Sequence, residues 1–198
     1  METVQVKRSR PLLDMTPMVD LAFLLVTFFM LTTKFVAEEP IVVDTPSSIS
    51  DLKLPETDML TISMASDGRV FFNVDGRSTR EKLLQKIAEK YGVTFSSEEA
   101  YQFSVLSSMG MPMGSLKSYL DISPEERKSV FQPGIPCDSL HNELADWIVF
   151  SRMANPKVRI ALKGDKDVAY PVVKRVLNTL QDSRINRFNM ITDLEKTS

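Results

Sequence analysis

Residues 13–33 read LDMTPMVDLAFLLVTFFMLTT, the most apolar stretch of the chain, and a carboxylate, Asp20, lies inside it. A helix that is apolar nearly all round needs lipid or a protein core around it. The apolar run 21–31, broken only by Thr27, is too short to cross a bilayer alone. A helix rises about 1.5 Å per residue and the hydrocarbon core is about 30 Å thick, so a span needs about 20 residues. The window that fits is 17–36, with Asp20 near one end and Lys34 near the other, where a lysine can snorkel to the interface. Thr16 and Pro17 read as the N-cap and the first helical residue.

The charge pattern gives this segment a direction. Residues 1–11 carry Lys7, Arg8 and Arg10 against Glu2, a net +2. Residues 37–58 carry Glu38, Glu39, Asp44, Asp51, Glu56 and Asp58 against Lys53, a net −5. Positive before and negative after places the N-terminus in the cytoplasm. Two other readings compete. A cleaved signal peptide needs a small-residue cleavage site, and KFVAEEP is a poor one. A buried helix of a soluble protein accounts for the short apolar run but not for the charge step. A retained signal anchor is the reading adopted.

Asp20 also has two readings. An acid in the first turn of a helix is favoured by the macrodipole. Against that stands spacing: Thr16, Asp20, Thr27 and Lys34 recur at intervals of four and seven and share one helix face. A polar stripe on a lipid-inserted helix faces protein or water. An ionised aspartate in hydrocarbon costs about 2.5–3.5 kcal/mol, and moving one charge through 100 mV is worth about 2.3 kcal/mol. The two are close enough for a membrane potential and a pH gradient to drive the group between protonated and ionised states.

The anchor Asp14-Met15-Thr16-Pro17-Met18-Val19-Asp20, followed by LAFLLVTFFMLTT, resembles that of the ExbD/TolR family of biopolymer-transport proteins. SDGRVFFNVDG at 66–76 is similar to the family's paired short strands, and VRIALKGDKDVAYPVVKRVLNTLQ at 158–181 to its closing strand, loop and helix. These stretches cover a little over a quarter of the chain. Many members have asparagine where Asp14 stands, and residues 92–137 have no counterpart in short members. The resemblance implies a single-span inner-membrane protein with a periplasmic domain. It implies a homodimer inside a ring of multi-span ExbB/TolQ-type proton-channel subunits, acting on a TonB/TolA-like periplasm-spanning protein, with the essential intramembrane aspartate at Asp20. It implies no cofactor.

The expected organisation is a cytoplasmic N-terminus (1–16), a transmembrane anchor (17–36), a periplasmic linker (37–58) and a small α+β periplasmic domain (59–198) with a helical insertion at about 92–137. The linker, acidic and holding three prolines, contains one β-prone stretch, 41–43, which in the family can pair with a partner chain. Residues 59–64 and 70–74 alternate as strands around a two-residue Asp67-Gly68 turn. Ser78 and Thr79 are candidate caps of a helix to about 90. Further helices are expected after Ser96, after Ser123 and over 138–154, a strand over 158–163, a helix carrying Val172, Val173, Val176, Leu177 and Leu180 on one face, and a last strand over 187–192. Asp165 is either a recognition residue or part of the cap of that last helix.

Much chemistry is excluded. A net charge of −2 gives no case for nucleic-acid binding. One cysteine, Cys137, and one histidine, His141, make neither an internal disulfide nor a Cys/His metal site. The alternating methionines of MGMPMG (109–114) suit soft copper but more often pack cores. No phosphate loop or nucleophile motif is present, so no enzymatic activity is expected. Two function classes remain: a proton-driven motor subunit and a signal-anchored periplasmic scaffold that moves no protons. A wall-binding stator of the OmpA-like kind lacks its sequence pattern here.

Overall fold

The computed structural model describes residues 15–33, 40–41, 43–48, 57–138, 141–191 and 193–194. The chain divides into two compact units, Met1–Val36 and Ala37–Ser198. The described part of the first is one helix, α1 (Thr16–Thr32).

The second unit is α+β. It begins with a two-residue strand, β1 (Ser47–Ser48). Alternating side chains then make a hairpin of β2 (Met59–Met64) and β3 (Val70–Val74), antiparallel with Leu60 opposite Val74 and Ile62 opposite Phe72. The turn holds three residues rather than two. Gly68 donates to Ala65 O (2.9 Å), Ala65 donates to Arg69 O (3.0 Å), and Gly68 sits at φ +86°, the left-handed position such a loop requires.

Next come α2 (Arg77–Tyr91), α3 (Ser97–Val105), α4 (Met113–Asp121), α5 (Pro124–Arg127) and α6 (Glu143–Ala154). The chain closes with β4 (Arg159–Gly164), α7 (Tyr170–Asp182), β5 (Asn189–Ile191) and β6 (Asp193–Leu194). The main sheet is mixed, in the order β3-β2-β4-β5, with β4 parallel to both β2 and β5. Leu60, Ile62, Val70, Phe72, Ile160 and Leu162 share a core with Leu83 and Ile87 of α2, Trp147 and Ile148 of α6 and Val176 and Leu180 of α7. Trp147 is its keystone, 5.6 Å from the Phe72 ring and stacked on Phe103 at 5.8 Å.

The helical insertion is integral to this core. Met109 exchanges two backbone hydrogen bonds with Phe72 (2.8 and 2.9 Å), and Ile135 donates to Val70 O (2.8 Å), so the insertion covers the outer edge of β3. Gly110 lies flat on the Phe71 ring, where a Cβ would come within 2.5 Å of a ring carbon. From α2, the Arg80 guanidinium donates to Val74 O, Ser104 O, Leu106 O and Asn73 Oδ1, tying helix, strand and insertion together. Met109, Met111 and Met113 are all buried, which makes them packing residues.

Several expected boundaries move. Gly76, at φ +89°, is the N-cap of α2 and offers no side-chain bond, while Ser78 and Thr79 lie inside the helix. The helix expected over 138–154 starts five residues later, because the Asn142 side chain accepts from Ala145 N–H and caps it there. Ser96 and Ser123 cap α3 and α5 as expected.

The linker differs most. Ile41 and Val43 are not in a strand, and Val42 lies outside the described residues. Instead Val43 and Thr45 are buried, and Ser47 and Ser48 pair in parallel with Asp193 and Leu194 of the same chain. Asp44 N–H donates to Asp165 Oδ2 (3.2 Å), Lys166 N–H donates to Asp44 O (2.8 Å), and Lys166 Nζ lies 2.5 Å from Asp44 Oδ2. The Asp44 carboxylate raises the pKa of that ammonium. Asp165 therefore holds the linker in cis and does not cap α7, whose N-cap is Ala169.

Candidate functional site: the Asp20 helix

Helix α1 starts one residue earlier than its cap signal suggests. Met15 is the N-cap and gives no side-chain bond, Thr16 is the first helical residue and Pro17 the second, a place where its missing N–H costs nothing. Asp20 is consequently the fifth residue of the helix, beyond the first turn, and no acid lies within that turn. The macrodipole account of Asp20 loses most of its weight, because that stabilisation falls off within the first turn.

Asp20 carries the only charge on α1. It is exposed and has no hydrogen-bond or ion-pair partner among the described residues. Thr27 stands on the same face, about 20° round and about 10 Å further along the axis. Its hydroxyl is occupied by its own helix, donating toward Phe23 O (2.8 Å) and Leu24 O (3.0 Å). Thr32 and Thr33 donate in the same way to Phe28 O and Phe29 O. These threonines hide their donors inside the helix, which suits an apolar surrounding. Thr16 has a polar partner. Asp14 and Lys34, the remaining members of the expected motif and polar face, lie outside the described residues.

No side chain of α1 is buried: Phe23 is 67 % exposed and Leu31 86 %. At 17 residues the helix is about 25 Å long, short of the roughly 20 residues a bilayer asks for. Among the described residues no helix is long and apolar enough to cross a membrane.

No other described cluster offers competing chemistry. No group of three or more His, Cys, Asp or Glu side chains is placed to hold a metal among the described residues. Cys137 is buried, and burial raises the pKa of its thiol. The tyrosine hydroxyl of Tyr91 also has its pKa raised, by burial and by donating to Asp146 (2.8 Å), which makes it a tether between α2 and α6.

The family model of the biopolymer transport protein ExbD/TolR matches residues 6–195, including the insertion. No curated protein and no solved structure matches the chain.

Proposed function

The chain belongs to the ExbD/TolR family of biopolymer transport proteins, and from that premise we propose that it is the proton-driven subunit of an inner-membrane complex of the ExbB–ExbD or TolQ–TolR type. In this reading residues 17–36 anchor the chain with its N-terminus in the cytoplasm, the α+β domain stands in the periplasm, and the proton-motive force is spent on transport across the outer membrane or on its upkeep. Multi-span ExbB/TolQ-type subunits surround the anchor of a homodimer, and a TonB/TolA-like protein receives the work.

One observation carries the proposal. Among the described residues Asp20 is a lone, unpartnered carboxylate beyond the first turn of a helix whose other side chains are apolar or hydroxyl groups, most of the latter bonded back to that helix. Such a group is stable only where another protein or water meets it, and its charge is the one feature of that surface that protonation changes.

Asp20→Asn tests it, because Asn keeps the size and much of the hydrogen bonding but cannot ionise. The expected outcome is unchanged co-purification with a multi-span partner together with loss of energised uptake or envelope integrity. Full activity in the Asn variant removes the proton-carrier role. Loss of assembly along with activity makes Asp20 a docking residue and favours the scaffold.

A further inference from the structure

The α+β unit holds a groove of about 880 Å³ that the motor reading does not use. Arg152, Arg159, Arg184 and Arg187 line it, and no acidic residue does. The four come from separate places: the last turn of α6, the start of β4, the end of α7 and the approach to β5. None of the four guanidinium groups makes an ion pair or side-chain hydrogen bond among the described residues. Elsewhere in the domain Arg69, Arg80, Arg127 and Arg175 all have acceptors. Arg152 is favoured at the C-terminal end of α6 by the helix dipole. Arg184 has a harder position, φ +59°, where glycine or asparagine is usual.

The groove also has an apolar floor and a backbone wall. Val158, Ile160 and Ile185 are buried beneath it. Asn189 lines it at the start of β5, the last strand of the sheet, which has β4 on one side and no strand on the other among the described residues. A row of guanidinium groups above apolar side chains and beside a sheet edge matches a chain that is extended, acidic and intermittently apolar. Its carboxylates meet planar forks and its backbone meets β5. Polynucleotides fit poorly, since the chain as a whole is negative.

We propose that this groove docks an extended acidic polypeptide segment of another protein, added alongside β5 with its carboxylates on Arg152, Arg159, Arg184 and Arg187. The inference goes beyond the motor reading and does not depend on Asp20.

The test uses the full chain in detergent and a fluorescent ten-residue peptide of alternating Glu and Val. Arg159→Gln combined with Arg184→Gly is expected to weaken binding at least tenfold while leaving thermal unfolding unchanged, since glycine suits the backbone at 184. A Lys–Val peptide of equal length is expected to bind at least tenfold more weakly. A Glu–Val peptide with a central proline, which cannot complete a strand, is expected to lose several-fold. Equal binding by the double variant, or by the Lys–Val peptide, overturns the proposal. So does complete displacement by millimolar phosphate with no penalty from the proline, which makes the groove a plain anion site. If the double variant unfolds early, Arg187→Gln alone is measured, and unchanged binding there overturns the proposal equally.

Discussion

Helix α1 and the α+β domain use apolar side chains in opposite ways. In α1 every large apolar residue from Leu21 to Leu31 is mostly exposed, whereas in the domain Leu60, Ile62, Leu83, Leu144 and Val176 are fully buried. The domain closes its own core, so its stability is its own property. The helix has none, so whatever covers it must come from outside its own residues. Asp20 therefore reports on a surrounding that α1 does not supply, and the Arg80 network reports on one that the domain builds itself. Substitutions in the two regions should separate accordingly, with stability moving in one and function in the other.

The largest stability effect belongs to Trp147. Trp147→Ala removes the residue that meets both Phe72 and Phe103, and a cost of about 3–5 kcal/mol is expected in urea unfolding of the domain. The paired control is Phe23→Ala in α1, expected to leave the same transition where it was. A shift of more than about 0.5 kcal/mol from the Phe23 change would break the comparison, since surface substitutions away from special features stay within that size.

Gly110→Ala comes second. Its Cβ meets the ring of Phe71, a side chain that is itself fully buried. Overpacking of this kind costs about 1–3 kcal/mol. Phe71→Leu in the same chain should restore part of the loss, and its failure to do so would mean that the insertion is held elsewhere than on this ring.

These two sites show what was legible in the sequence. Strands 59–64 and 70–74 were readable because Leu60, Ile62, Val70, Phe72 and Val74 recur at every second position and share the core, although Ser63 and Phe71 on the other face are buried as well. The helix from Ser96 was readable because its capping box is local: Ser96 Oγ accepts from Glu99 N–H (3.1 Å), and the Glu99 carboxylate accepts from Ser96 N–H. Gly110 was not readable as a contact, because Phe71 is 39 positions away and only the folded chain brings them together. The linker strand failed for a related reason. The β-prone triplet at 41–43 suggested pairing, but Asp44 finds Asp165 and Lys166, and the pairing falls instead on Ser47 and Ser48. The shared side of α1 for Asp20 and Thr27 was readable in their seven-residue spacing, whereas the hiding of the Thr27 hydroxyl in its own helix was not. The four groove arginines gave no signal, since they are scattered over 152–187 and converge through topology alone.

The capping box makes a third prediction. Ser96→Ala should cost about 1 kcal/mol at neutral pH. The backbone hydrogen bond from Ser96 lowers the Glu99 pKa below its usual 4.5, with Lys117 assisting. A carboxylate whose folded pKa is depressed contributes stability that is present above the unfolded value and lost as pH falls through the folded one. The domain should thus lose melting temperature below pH about 4.5, and Glu99→Gln should flatten that acid limb. An unchanged limb in the Gln variant would assign acid sensitivity to other carboxylates.

The smallest effect is expected at Thr27, one heptad from Asp20 on the same face. Its hydroxyl already has acceptors in Phe23 O and Leu24 O, so it offers a neighbouring chain little beyond its shape. Thr27→Val keeps that shape and removes the donor. The α+β domain should unfold unchanged, because no side chain of α1 is buried. Proton-motive-force-dependent activity should fall only in part, by far less than in Asp20→Asn, since valine leaves the carboxylate in place and alters only the polarity around it. The measurement is the same uptake or envelope assay, run on both variants at matched expression. If Thr27→Val abolishes activity as fully as Asp20→Asn does, the working element is a hydroxyl–carboxylate pair presented together on one face, and the hydroxyl must then leave Phe23 O to act.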